Sequence, residues 1–201
     1  IAKVIQFPAP VPEKFGHQRV VGKKSKGTFR NSPQLDLFTG AGRVVRLHKL
    51  SPFENALLHD DTQDHAEAKA LYRKAIDEKD CVADAYCNLG ILESLEGNSA
   101  QAIDCFSRSL QEEPRHFEAH YNLANLYADV GDFPLAKLHY KVAIEVEPDF
   151  PNSYFNLGLT HAMTKEYKEG IEVLTRYKEL VSAEEAKLAD DLIEAIGRGQ
   201  G

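Results

Sequence analysis

The stretch FEAHYNLANLYADVGDFPLAKLHYKVAIEVEPDF (117–150) contains two helical patterns separated by a turn. In each half, core-type residues recur at the i, i+3, i+4, i+7 spacing of one helix face. Gly131-Asp132 separates the halves, and Pro148 ends the second because proline cannot continue a helix. The stretch therefore predicts a hairpin of two antiparallel helices. The core-type residues are His120, Leu123, Ala124 and Tyr127, then Phe133, Ala136, Tyr140 and Ala143.

The same pattern repeats every 34 residues on both sides of this stretch. Segments 83–116 and 151–184 align with it without gaps, whereas segment 49–82 keeps only the second half of the pattern. Each aligned segment has an Asn-Leu pair followed by a small residue, which permits two helices to cross closely. Because a single hairpin buries only part of its apolar surface, we expect four hairpins to stack side by side. The repeated triplets are Asn88-Leu89-Gly90, Asn122-Leu123-Ala124 and Asn156-Leu157-Gly158.

These repeats resemble the tetratricopeptide repeat family over about two thirds of the chain. The resemblance implies an all-α fold, a right-handed solenoid of about four helical hairpins with a C-terminal capping helix. The chain departs from the family pattern in its outer units. In the last unit His161 replaces the usual Tyr and Gly170 the usual Ala, and in the first unit Pro52 predicts a short or shifted first helix.

Charge and composition change close to the start of the first repeat. Residues 1–50 carry ten Lys or Arg and two Asp or Glu, a formal charge of +8, whereas residues 51–201 carry a charge of −15. The difference predicts a basic arm attached to an acidic body. The predicted parts are an irregular, Pro/Gly-rich arm (1–48), a repeat array (49–182) and a capping helix with a tail (183–201).

Both ends of the array have sequence signals for the start of a helix. Ser51 and Glu54 have the spacing of a capping box, with a proline at the first helical position. Ser182 and Glu185 have the same spacing and precede an amphipathic pattern, which predicts a helix that covers the last hairpin. We expect Gly197 to stop this helix.

The resemblance implies that the first helix of each hairpin lines a concave surface on which an extended peptide binds. One Asn recurs there in each repeat, and its amide offers a donor and an acceptor that can match a peptide main chain. Alternatively, these asparagines only pack the superhelix. No basic residue occurs among these positions, so the surface fits an apolar or neutral segment better than the acidic tails of chaperones. The predicted peptide-binding residues are Asn88, Ile91, Leu95, Tyr121, Asn122, Asn125, Phe155, Asn156 and Leu159, and Asp129 and Met163 also fall on this face.

The predicted function is therefore a non-enzymatic scaffold for a protein or peptide partner, and the basic arm supports two alternatives. A pentapeptide in the arm resembles the motif with which bacterial replication and repair proteins hold the DNA polymerase sliding clamp, which would make the chain a replication or repair adaptor. The motif consists of Gln34, Leu35, Asp36, Leu37 and Phe38. The arm could instead enter a groove of its own chain or of a neighbouring copy, which would make a self-assembling scaffold.

Two simpler interpretations of the arm compete with these. The arm could be solvated and make no specific contact. Its cluster of Lys23, Lys24 and Lys26 could contact nucleic-acid phosphate, but the acidic body and the lack of interleaved aromatic residues disfavour nucleic-acid binding.

Sequence motifs for catalysis, metal binding and membrane insertion are missing. The chain has no GxSxG, Walker, HExxH or CxxC motif, and an acidic turn between helices explains the acidic residues around His59 and His65 without a metal. No apolar stretch approaches the roughly 20 residues of a membrane span. Three cysteines suit a reducing compartment, so we expect a cytoplasmic protein without enzyme activity, metal or cofactor.

Overall fold

The computed structural model describes residues 50–199, and within that range the chain forms nine α-helices and no β-strand. Their bounds are α1 Pro52–Asp61, α2 His65–Asp77, α3 Val82–Leu95, α4 Ser99–Glu112, α5 Phe117–Asp129, α6 Phe133–Val146, α7 Pro151–Met163, α8 Tyr167–Leu180 and α9 Ala183–Gly199. Pro52 is the first residue of α1, which has ten residues and is the shortest of these helices, as the sequence predicts. None of the described helices is both long enough and apolar enough to cross a bilayer.

The helices pack as consecutive antiparallel hairpins. The closest helix pairs are α1 with α2, α3 with α4, α5 with α6 and α7 with α8, and α9 packs against α8. Each second helix also contacts the first helix of the next hairpin, while α3 contacts α5 and α5 contacts α7. The first helices therefore lie side by side in one layer, and the predicted all-α solenoid is confirmed.

Equivalent residues of the four hairpins form the core. A large side chain is fully buried between the layers in every hairpin, and a small residue lies one turn before it on the same helix. At Gly158, a Cβ atom would come within 2.6 Å of Leu174 Cγ, so only glycine permits this close crossing of α7 and α8. The large residues are Tyr72, Phe106, Tyr140 and Leu174, and the small ones are Ala68, Ala102, Ala136 and Gly170.

The turn inside each hairpin has the same backbone shape. A residue with positive φ follows each first helix, and the next backbone N–H donates to a carbonyl five residues earlier at 2.8–2.9 Å. Glycine occupies this position in the two central hairpins. In the outer two hairpins, a residue other than glycine adopts the same left-handed conformation. The four turn residues are Gln63, Gly97, Gly131 and Lys165, with φ of 61°, 82°, 84° and 62°.

The predicted capping boxes are both present. The Glu54 N–H donates to Ser51 Oγ (3.2 Å), and the Ser51 N–H donates to Glu54 Oε2 (2.9 Å). Ser182 and Glu185 make the corresponding bonds at the start of α9. The predicted stop at Gly197 is wrong, because α9 continues through it to Gly199. A glycine inside a helix lowers its stability, but it does not end a helix whose apolar face is held by packing, as α9 is through Leu192 and Ile196.

Candidate functional site

The side-by-side packing of α3, α5 and α7 brings the predicted peptide-binding residues onto adjacent helices. We call the surface that Asn88, Asn122 and Asn156 and the other predicted residues form on α3, α5 and α7 the first-helix face. Eight of the nine predicted residues are buried there, and the ninth, Leu95, is 56% exposed. The buried residues are Asn88, Ile91, Tyr121, Asn122, Asn125, Phe155, Asn156 and Leu159.

Each recurring asparagine donates its amide to the preceding helix or hairpin. Asn88 Nδ2 donates to Tyr72 Oη on α2 (3.2 Å), and Asn122 Nδ2 donates to Cys87 Sγ on α3 (3.8 Å). These bonds cross between helices and fix how neighbouring first helices sit against one another. The asparagines therefore do perform the packing role that the sequence offers as an alternative.

The most extensive of these contacts surrounds Asn156. Its Nδ2 donates both to Tyr121 Oη (3.2 Å) and to Asn125 Oδ1 (3.0 Å), and Tyr140 Oη donates to the same Asn125 oxygen (2.6 Å). Burial raises the pKa of Tyr121 to about 12, and burial raises the pKa of Tyr140 well above its usual value. Both phenols therefore stay protonated at neutral pH, so the network is uncharged.

The tyrosine partners are the residues that sequence reasoning missed. The repeat pattern groups Tyr140 with the core-type residues, whereas Tyr72 and Tyr140 also use their hydroxyls. Tyr72 Oη donates to the buried carboxylate of Asp60 (3.1 Å). The sequence does contain a signal, since Tyr occupies this position in the first and third units and Phe106 and Leu174 occupy it in the others.

Two predicted residues belong more to the core than to an open surface. The Phe155 ring packs on Tyr177 of α8 with a centroid distance of 5.2 Å, and Leu159 lies in the same cluster, which α9 completes.

The exposed part of the first-helix face lies at the C-terminal ends of the helices. Leu95 on α3 and Met163 on α7 are 56% and 46% exposed, and they occupy equivalent positions two repeats apart. Asp129 holds the same position on α5, and burial raises the pKa of its carboxyl group. These three residues form an accessible edge with two apolar side chains around one acid.

Acidic groups also line the opposite end of the face. His116, the N-cap residue of α5, accepts the Ala119 N–H at its Nδ1 (3.2 Å) and so donates from Nε2 to Asp84 Oδ1 (2.9 Å). Glu118 lies 3.4 Å from the same ring. The repeat positions of this face contain Asp84, Glu118 and Asp129 and no Lys or Arg, so its charged residues are acidic.

In the described part of the chain, the buried cysteines are poor nucleophiles and the histidines form no metal site. Burial raises the pKa of Cys87 well above its usual value and that of Cys105 to about 11, so both are neutral thiols and poor nucleophiles at pH 7. Between residues 50 and 199, no group of three or more His, Cys, Asp or Glu side chains is placed to hold a metal ion. The clamp-like motif Gln34–Phe38 lies outside the described residues.

Comparison with known proteins agrees with this architecture. A tetratricopeptide repeat family model matches residues 87–136 and 121–185, and a second model of the same repeat matches residues 56–79. No curated protein sequence matches the chain.

Solved structures with similar folds have low sequence identity. A crystal structure of MamA protein has a TM-score of 0.59 at 16% identity and covers 74% of this chain and 86% of its own. The first TPR of Spaghetti (RPAP3), bound to an HSP90 peptide, has a TM-score of 0.54 at 19% identity, with 59% and 92% covered. The TPR2B domain of yeast Sti1 in its pHsp70 complex has a TM-score of 0.53 at 21% identity, with 58% and 96% covered. These likenesses establish a shared fold.

Proposed function

The chain belongs to the tetratricopeptide repeat family, and from this premise we propose that it is a non-enzymatic scaffold that binds an extended peptide or a partner protein on its first-helix face. The proposed domains are the arm (1–48), the repeat array (49–182) and the capping helix with its tail (183–201). The observation that carries it is the gathering of the predicted residues on α3, α5 and α7, with an apolar edge accessible at Leu95 and Met163.

Two structural neighbours support a peptide as the ligand. The first TPR of Spaghetti holds an HSP90 peptide, and the TPR2B domain of yeast Sti1 is in complex with pHsp70. The ligand of this chain differs in charge from an acidic tail. The face contains Asp84, Glu118 and Asp129 and no Lys or Arg at its repeat positions, so a neutral or basic segment with apolar side chains fits it.

The test uses the full chain and a displayed library of random peptides. Peptides selected on the wild-type chain are measured against Leu95→Glu and Met163→Glu, which alter exposed side chains and leave the core intact. Both variants place a charge where apolar contact is expected, so each should weaken binding at least about tenfold.

Leu138→Glu is the matched control. Leu138 is 54% exposed on α6, a second helix, so the same substitution changes the surface equally but away from the first-helix face. The affinity of the Leu138→Glu variant for the peptides should stay within about twofold of the wild-type affinity. Equal affinities in all three variants would contradict the proposed site.

A further inference from the structure

The middle of α5 is enclosed on every side. Eight consecutive residues, 119–126, are buried, and successive residues of an α-helix point about 100° apart, so these eight cover the whole circumference. The described helices that pack on α5 are α4 and α6 behind it and α3 and α7 beside it. These four neighbours pack on α5 from its own layer and from the layer of second helices.

We propose that a stretch of this chain's own N-terminal segment, residues 14–30, occupies the first-helix face, so that it competes with an external partner for the same site. This inference rests on the proposed function, since both occupants use the same surface. It makes the free chain a self-filled scaffold, in which a partner binds by displacing residues 14–30.

Charge complementarity supports this occupant. The stretch KFGHQRVVGKKSKGTFR (14–30) contains six Lys or Arg and no acidic residue. The first-helix face contains Asp84, Glu118 and Asp129 and no Lys or Arg at its repeat positions, and α1 adds three further acidic residues at the equivalent positions, so attraction favours contact between the segment and this face. The acidic residues are Glu54, Asp60, Asp61, Asp84, Glu118 and Asp129.

The length of the chain also permits the contact. Neighbouring helices pack about 8–10 Å apart, so four first helices span roughly 30–40 Å. A stretch of 17 residues reaches about 55 Å when extended, enough to cross the face. The 19 residues from 31 to 49 reach about 60 Å, so they can return from any point of the face to Leu50, where the described chain begins next to α1.

The surface of the face suits an extended chain. The middle of the face consists of amides, phenols and aliphatic side chains, such as Asn122, Tyr121 and Ile91, and its acidic residues lie at the ends of the helices. Arg19-Val20-Val21 in the segment has the β-branched composition of extended structure, so little further ordering is needed for it to lie along the face.

The experiment cuts the full-length folded chain and asks whether the segment stays bound. A recognition sequence for a site-specific protease is inserted between Gly40 and Ala41, and the cleaved protein is run on gel filtration at about 10 µM in low and high salt. We expect the N-terminal fragment to co-elute with the body at low salt, and its apparent dissociation constant to rise at least about tenfold in about 0.5 M NaCl.

Variants on both partners sharpen the result. Lys23→Glu/Lys24→Glu/Lys26→Glu in the segment, and Glu118→Gln/Asp129→Asn on the face, should each release the fragment at low salt. Glu172→Gln removes one charge from the exposed surface of α8 and should leave the fragment bound.

Three outcomes would overturn the inference. The fragment could elute alone at low salt, or it could be retained equally by the face variants and the wild type. A dimer that exchanges fragments between copies would assign the face to a second copy instead.

The test is separable from that of the proposed function. If the fragment is released but Leu95→Glu and Met163→Glu still abolish peptide binding, only the self-filling fails. If the fragment is retained in a charge-dependent way but selected peptides ignore both variants, the external binding site is wrong.

Discussion

Buried polar groups have different partners on the first-helix face and at the turn edge of the array. On the first-helix face, neutral amides and phenols bond to each other, as in the group around Asn156. The turn edge, which consists of residues 93–98 and 161–166 with Lys69 and Lys137, uses charges. Lys69 Nζ lies 2.9 Å from Glu93 Oε1 and 2.7 Å from Glu96 Oε2, and Lys137 pairs with Glu166 at 2.5 Å.

The difference follows from depth. A buried charge is costly unless it is paired, whereas a buried amide needs only a hydrogen-bond partner. Neutral groups can therefore occupy the middle of the layer, and ion pairs are restricted to the edge, where one partner such as Glu96 or Glu166 still reaches water. A surface whose interior is neutral can accept a ligand backbone without having to desolvate a charge of its own.

The largest effect is expected from breaking the neutral network. Asn156→Ala removes the donor to Tyr121 and Asn125 and leaves a small cavity, so it should lower the free energy of unfolding by about 2–3 kcal/mol. Urea denaturation measures this. Arg176→Ala, on the exposed surface of α8, is the control and should leave the free energy of unfolding nearly unchanged. A loss at Asn156 as small as the control's would show that the network adds nothing to stability.

Breaking the charged network at its best-buried pair should cost somewhat less. The side chains of Lys69 and Glu93 are only 13% and 8% exposed, so Lys69→Met leaves a carboxylate with fewer partners and should lower the free energy of unfolding by about 2 kcal/mol. The corresponding Lys137→Met should cost less, because Glu166 is 42% exposed and water can replace the lysine.

This second effect should depend on pH. Burial opposes ionisation of Glu93, but hydrogen bonds from Lys69 and Asn98 outweigh it and lower the pKa of the carboxyl group below its usual value. A lowered pKa in the folded state stabilises the protein above the unfolded value of about 4.5, and this contribution is lost as the pH falls through the folded value. The difference between wild type and Lys69→Met should therefore shrink below about pH 4. A difference that is constant from pH 7 to 3 would exclude the ion pair as its source.

The smallest effect is expected from an exposed pair away from both regions. Arg108 Nε lies 2.9 Å from Asp104 Oδ2, one turn earlier on α4, and both side chains are more than half exposed. Arg108→Ala should leave the free energy of unfolding nearly unchanged, and added salt should remove any difference. A loss of stability as large as that of Lys69→Met would show that the ion pairs of the turn edge are no stronger than an exposed surface pair.

Periodicity in the sequence determines which way a residue faces, but not how deeply it is covered. The 34-residue spacing correctly places Asn88, Asn122 and Asn156 on one layer, because helix phase is a local property. Their burial depends on neighbours from other hairpins, which a single sequence does not specify. Leu95 has the same helical phase and yet is exposed, because it lies at the end of α3.

The ends of the array show the same limit. Ser51 and Ser182 are recognisable as caps because a capping box involves only four consecutive residues. The stop predicted at Gly197 is wrong, because the effect of this glycine depends on the packing of α9 against the last hairpin. Lys165 and Gln63 adopt a conformation that sequence rules reserve for glycine, because the helices on either side dictate the turn.

That turn has a consequence for the length of the array. The chain reverses through the same backbone shape in all four hairpins, whichever residue stands at the corner. Units that share this turn and the 34-residue length are therefore alike in shape. A duplicate of 117–150 spliced in after Phe150 would keep the present junctions with 83–116 and 151–184, and the junction between the two copies would be the one new contact, so the molecule could grow by whole hairpins.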